Sequence, residues 1–140
     1  MAPIPRLVVD TNVVFTGLTQ SGGAAGIIVE AWLAGTIQCF VTNAVAYEYF
    51  DVLARKLSER RWLQLEPVLA RLLECATFVD VHYRWRPSSP DPGDEHLIDC
   101  ALNAGALLVT SNIRDFARAE SVLGLRIMTP VDFVRWYAGL

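Results

Sequence analysis

Cysteine and histidine are scarce in this chain, and their scarcity narrows the chemistry. The three cysteines, Cys39, Cys75 and Cys100, share no short metal-ligand spacing, and an odd count suits reduced thiols better than a disulfide framework. They read as buried structural thiols. His82 and His96 are too few and too scattered for a histidine-rich site, so any bound metal would have oxygen ligands. No apolar run approaches the roughly 20 residues that span a bilayer. The N-terminus also lacks the basic-then-apolar layout of a signal peptide, so a soluble, cytoplasmic protein with no membrane association is expected. Positive charge is in deficit too: 12 Lys and Arg face 15 Asp and Glu, for a net charge of −3. That excludes a uniformly basic nucleic-acid binder but leaves room for a local basic patch. Internal repeats, low-complexity tracts and linkers are absent as well.

What is present is a length of 140 residues, enough for one domain with a full core and no staples, so residues 1–140 are expected to form a single domain. The hydrophobic fraction of 53% is high for a monomer and points to a large core or to apolar surface covered in a homodimer.

Apolar runs and helical periodicities alternate from end to end. Leu7-Val8-Val9 reads as a buried strand that delivers Asp10 to its carboxyl end, the end at which open α/β sheets place ligands. Thr16 to Gly26, rich in Gly, Ser and Thr, reads as a loop. A helix is expected over about Ala24 to Ala34, stopped by Gly35. A second strand follows at Ile37 to Val41, and then a helix capped by Thr42 or Asn43, with Glu48 in its second turn and Arg55 and Lys56 toward its end. Leu63 to Ala76 repeats the helical pattern, and Phe78 to Val81 reads as a third strand. Pro87, Pro90 and Pro92 make Arg84 to Gly93 a loop. Asp94 then stands at an N-cap position, with Glu95 and Asp99 as charges favourable to the helix dipole. Ala106 to Thr110 is a fourth strand and Arg126 to Met128 a fifth, Asp115 could cap a short helix beginning at Phe116, and Pro130 opens the last helix. The alternation predicts a parallel sheet covered by helices on both faces.

Asp10 and Thr110 both end predicted parallel strands and share one sheet edge if those strands are neighbours. Carboxylates gathered there repel each other unless protons or cations neutralise them. Magnesium or manganese is the economical choice, because hard ions take carboxylate and water ligands and can activate water against a phosphodiester. Bland readings stand beside this one. Glu48 could be a solvent-facing helix residue, Asp94 only a cap, and Asn12, Thr11, Thr110 and Asn112 ordinary turn and strand-end residues.

Four blocks together resemble the PIN-domain nucleases, in particular the bacterial toxin components akin to VapC. They are Val8-Val9-Asp10-Thr11-Asn12-Val13-Val14; Tyr47-Glu48-Tyr49-Phe50-Asp51-Val52-Leu53-Ala54-Arg55; Asp91-Pro92-Gly93-Asp94-Glu95-His96-Leu97-Ile98-Asp99-Cys100-Ala101; and Leu108-Val109-Thr110-Ser111-Asn112-Ile113-Arg114-Asp115-Phe116. Each is weakly specific alone; four in order and spacing are not. The resemblance implies a three-layer α/β/α sandwich with a short central parallel sheet. It also implies an acidic pocket for one or two Mg2+ or Mn2+ ions, and hydrolysis of RNA. Carried over, Asp10, Glu48 and Asp94 would hold the metal. Asn112 stands where many relatives carry aspartate, and Asp115 would support the site three residues later. Asn12, Thr110 and Asn112 would orient ligands or water. A small antitoxin would be the partner. RNA would be met by Arg55, Lys56, Arg60 and Arg61, the densest basic cluster, and by Arg84 and Arg86, interleaved with Tyr83 and Trp85. Two rival readings remain: an RNA-binding or regulatory module that no longer cuts, favoured by Asn112, and a haloacid-type phosphatase. The latter needs an aspartate where Asn12 stands.

Overall fold

The computed structural model describes residues 3–84 and 92–139, excepting the side chains of Pro92 and Gly93. Five strands, β1 (Arg6–Val9), β2 (Gln38–Val41), β3 (Thr77–Phe78), β4 (Leu107–Val109) and β5 (Ile127–Met128), form one parallel sheet in the order β3-β2-β1-β4-β5. The helices are α1 (Thr11–Thr19), α2 (Ala24–Ala34), α3 (Asn43–Lys56), α4 (Glu59–Cys75), α5 (Pro92–Ala104), α6 (Ala117–Leu123) and α7 (Pro130–Ala138), with a 3₁₀ turn at Ile113–Phe116. The chain steps outward from β1 to β3, then crosses to β4 and steps the other way. Because parallel crossovers are right-handed, this reversal puts α1–α4 on one face and α5 and α6 on the other. The result is the expected α/β/α layering.

The inner strands are apolar over most of their length because they are buried on both faces. Leu7, Val8, Val9, Cys39, Val41, Leu108 and Val109 are 0–1% exposed, and each such side chain contributes roughly 1.5–3 kcal/mol relative to exposure. Trp32 of α2 meets Tyr49 of α3 edge-on at 6.4 Å between ring centroids. The Tyr49 hydroxyl donates to the backbone carbonyl of Val9, the last residue of β1. That bond satisfies a phenol that burial would otherwise leave costly, and it docks α3 one residue from Asp10. The three thiols are free. Burial pushes Cys39 well above its ordinary range and Cys100 up to about 12, so these two are inert space-fillers.

Several boundaries differ from those expected. The stretch from Thr16 is no loop: α1 begins directly behind Asp10, buries Val13 and Val14, and runs to Thr19. Its Gly17 serves packing, since a Cβ there would lie 2.5 Å from Val29 Cγ2 and 2.6 Å from the Ala25 carbonyl oxygen. Helix α4 starts four residues before Leu63, capped by the Ser58 hydroxyl, which accepts from Arg61 N at 3.2 Å. Asp94 lies within the first turn of α5 and not at its cap, and Asp99 lies in the middle of that helix, 1% exposed, rather than among first-turn charges. Asp115 sits inside the 3₁₀ turn, followed by α6. Among the described residues, no helix is long and apolar enough to cross a membrane.

Candidate functional site at the carboxyl edge of the sheet

The strand register sets the site. Val9 pairs with Val109, Leu7 with Cys39, Val109 with Met128 and Val41 with Phe78. Continuing each strand by one residue aligns Val79, Thr42, Asp10, Thr110 and Thr129 along the carboxyl edge, neighbours about 4.8 Å apart. The backbone bonds Asp10 N to Val109 O (2.9 Å), Thr110 N to Met128 O (3.0 Å) and Val79 N to Val41 O (2.9 Å) hold this row. Two of its threonines also cap helices: Thr42 Oγ1 accepts from Val45 N at 3.1 Å and Thr129 Oγ1 from Asp132 N at 3.1 Å. Apart from Val79, the edge is therefore built from small polar residues with one acid at its centre.

Asp10 is 5% exposed and Thr110 fully buried. The Thr110 hydroxyl donates to Asp10 Oδ2 at 2.7 Å and accepts from Asn112 N at 3.0 Å. Because the hydroxyl oxygen is engaged by an N–H, its proton is committed to the carboxylate, and the pair favours an ionised Asp10 in one rotamer. Burial pushes the Asp10 carboxyl above its ordinary value of 3.8. The Thr110 hydroxyl and the backbone N–H groups of Thr11 and Asn12 pull it back, and the charge of Asp115 pushes it up again. Asp115 is exposed in the 3₁₀ turn, its own N–H bonded to the Asn112 carbonyl at 3.1 Å.

The other sequence-predicted residues are placed less directly. Glu48 is half-buried in α3, its Oε2 shielded from solvent. The adjacent Tyr49 phenol is pushed well above its usual range, by burial first and then by neighbouring anions that include Asp10 and Glu48. Asp94 is half-buried at the start of α5, which packs on β1, β2 and β4. The side chains of Asn12 and Asn112 are exposed, and it is the backbone N–H of Asn112 that acts on Thr110. Among the described residues, no three Asp, Glu, His or Cys side chains group closely enough to hold a metal by themselves. The donor set is nonetheless all oxygen. Thr11 Oγ1, buried next to Asp10 in sequence, has no hydrogen-bond partner. A hard ion that takes one or two carboxylates and completes its shell with water and phosphate fits such a site.

The basic cluster lies elsewhere. Helices α1 and α3 both start at the carboxyl edge, and the 14 residues of α3 carry Arg55 and Lys56 toward a point roughly 20 Å away. There Arg55 pairs with Asp51 at 3.5 Å, Lys56 Nζ lies 5.5 Å from the centroid of the Phe15 ring, and Arg61 donates to the Thr19 carbonyl at 3.0 Å, closing the end of α1. Arg60 is exposed beside them. Arg84 instead lines a cavity of about 390 Å³ at the β2–β3 end of the edge row, with Thr42, Val79, Asp80 and the buried Asp99. A second cavity of about 290 Å³, walled by Val13, Ser111, Thr129 and Pro130, flanks the other end. Arg86 and Trp85, like Asp91, lie outside the described residues. Thr42, Asp99 and Thr129 were not singled out as site residues from sequence. The available signal for Asp99 was a lone acid amid Leu97, Ile98, Cys100 and Ala101.

Comparison with known proteins agrees with this architecture. A family model described as PIN domain matches residues 6–114. Among solved structures, the chain superposes with a TM-score of 0.64 on the crystal structure of VapBC2 from Rickettsia felis bound to a DNA fragment from their promoter. The match covers 89% of this chain and 98% of that one at 15% identity, a likeness of fold. No curated protein matches the chain.

Proposed function

The chain belongs to the PIN-domain family, and from that premise we propose that it is a magnesium- or manganese-dependent endoribonuclease, the toxin component of a toxin–antitoxin pair. The observation that carries the reading is Asp10: a buried acid at the carboxyl edge, held by a hydroxyl whose proton is committed to it, with the charge of Asp115 near enough to bear on it. Nothing in a purely structural role calls for a buried carboxylate at a strand end, whereas a divalent cation would offset the cost of its charge. When bound, such an ion supplies Lewis acidity, acidifying water and neutralising charge on the phosphate.

In this scheme Asp10, Glu48 and Asp94, which do not by themselves group closely enough to hold an ion, would bind it together with water and phosphate oxygens, and Glu48 would also position the attacking water. Thr110 and the Asn112 N–H fix the Asp10 rotamer, and Asp115 adds negative charge where Asn112 supplies none. The antitoxin would be a small protein that closes the acidic pocket with an arginine or lysine. A cytoplasmic location and a homodimer complete the proposal; the exposed Tyr47, Leu63, Phe78 and Trp136 are apolar surface that a second copy could cover.

The test is cleavage of single-stranded RNA with magnesium or manganese, with Asp10→Asn as control. Cleavage by the parent and none by the variant is expected. RNA binding without cleavage under either ion would favour a second reading, a non-cleaving module. The exposed amide of Asn112, neutral where the resemblance to PIN-domain nucleases implies a carboxylate, speaks for that reading.

A further inference from the structure

Asn103 is a half-buried amide in the last turn of α5, and backbone groups take up all of its hydrogen-bonding capacity. Its Oδ1 accepts from His82 N at 2.9 Å and from Tyr83 N at 3.2 Å, while its Nδ2 donates to the Tyr83 carbonyl at 2.9 Å and the Asp99 carbonyl at 2.8 Å. Two acceptor sites and two donors exhaust a side-chain amide. One bond ties the amide to its own helix and the other three go to residues 82 and 83, which belong to neither helix nor strand and are exposed. By engaging both the N–H and the carbonyl of Tyr83, Asn103 does what a neighbouring strand would do. It clasps a stretch of chain that has left the sheet after β3.

Arg84 follows the clasp directly. It is exposed, and among the described residues it has no hydrogen-bond or ion-pair partner. It lines the cavity that begins at Thr42, one strand spacing of about 4.8 Å from Asp10, whereas Arg55, Lys56 and Arg61 are spent at the far end of α3. We propose that Asn103 is a positioning residue: its amide fixes residues 82 and 83 and so holds the Arg84 guanidinium beside the carboxyl edge, where it meets an RNA phosphate adjoining the scissile one. The identity of the scissile phosphate rests on the nuclease reading; the clasp and its cation rest on the contacts above. A guanidinium matches a phosphate with two parallel N–H donors, but Asp80 shares the cavity and opposes an anion. An arginine that must first be ordered would gain little there, and one held in advance avoids that cost.

A double-mutant cycle on the full-length protein tests it, with the parent, Asn103→Ala, Arg84→Ala and the double variant. Binding of a fluorescein-labelled single-stranded RNA of mixed sequence is measured against salt, and cleavage of the same RNA is measured with magnesium. Arg84→Ala should weaken binding about tenfold and lower the slope of log K against log[salt] by about 0.7, the loss of one phosphate contact on a single strand. Asn103→Ala, which changes no charge and keeps a good helix former, should weaken binding about threefold if the held state of Arg84 falls to about a third. In the Arg84→Ala background its effect should disappear. In cleavage, KM should rise in both variants with kcat unchanged. Hydrogen exchange at the amides of His82 and Tyr83 should be slow in the parent and fast in Asn103→Ala, and fast exchange in the parent would overturn the clasp even if the variant fails to fold. Cleavage whose KM and salt slope ignore Arg84, or an Asn103→Ala effect equal in both backgrounds, would overturn the proposal and leave the nuclease standing. RNA binding that follows the expected cycle in a protein that cuts nothing would keep the proposal and sink the nuclease.

Discussion

Thr110→Val is the most informative single substitution. It keeps volume and branching in a fully buried position while removing a hydroxyl that donates to Asp10 Oδ2 at 2.7 Å and accepts from Asn112 N at 3.0 Å. A hydrogen bond to an ionised group is worth about 1.5–3 kcal/mol and one to a neutral group about 0.5–1.5, so the cost depends on the charge of Asp10. Burial already holds that carboxyl above 3.8, and removing Thr110 raises it further. An acid raised on folding contributes stability that is fully present below its unfolded value of 3.8 and is lost as pH rises through the folded value. The variant continues to lose stability at pH values where the parent has levelled off. The difference between the two should grow from about 1 kcal/mol near pH 4 to about 2 kcal/mol near neutrality, or roughly 7 °C in Tm for a chain of this size. Urea unfolding at several pH values measures it, and other carboxyls cancel between parent and variant. In an Asp10→Asn background the pH dependence of the difference should vanish. A difference that is flat with pH, and unchanged in that background, would refute the coupling and reduce Thr110 to a packing residue.

Three further outcomes follow from the same geometry. Magnesium at about a hundred times its dissociation constant should stabilise the parent by about 2.7 kcal/mol, roughly 9 °C by thermal shift, and should not stabilise Asp10→Asn; an equal shift in both would place the ion elsewhere. Gly17→Ala should lose about 1–3 kcal/mol by overpacking against Val29 and the Ala25 carbonyl, despite the ~1 kcal/mol that alanine gains in a helix, and a stabilised variant would show that α1 and α2 sit less closely than described. Arg61→Ala should lower stability by about 0.5–1.5 kcal/mol through the lost bond to the Thr19 carbonyl. An unchanged unfolding midpoint would return Arg61 to the cations available for substrate.

The sheet was legible because inner parallel strands are apolar on both faces: Leu7-Val8-Val9, Cys39-Phe40-Val41 and Leu107-Leu108-Val109 admit few other readings. The helix α2 was legible for a similar reason, with its apolar stripe and Gly35 in the left-handed region at φ 78°. Helix α1 was hidden by its own packing. It approaches α2 closely enough to require Gly17, and that glycine, with the threonines around it, gives a helix the composition of a loop. Single-sequence propensity weighs each residue against solvent and chain entropy, and a tertiary contact that demands a missing Cβ reverses the inference.

The site divides along the same line. Asp10 could be found from sequence because a carboxylate directly after three buried residues has few bland explanations, and its alignment with Thr110 followed once the two strands were adjacent. The basic residues could not be placed, because charge density along the sequence carries no direction. Arg55, Lys56 and Arg61 belong to the densest basic cluster of the chain, yet α3 begins at the carboxyl edge and therefore carries them away from it. There they pair with Asp51, cover Phe15 and close α1. Arg84 was one member of a second, sparser group, and it is this one that lines a cavity on the edge row. What decides whether a cation can serve the site is which end of its element meets the carboxyl edge, and that is a property of sheet order rather than of local composition.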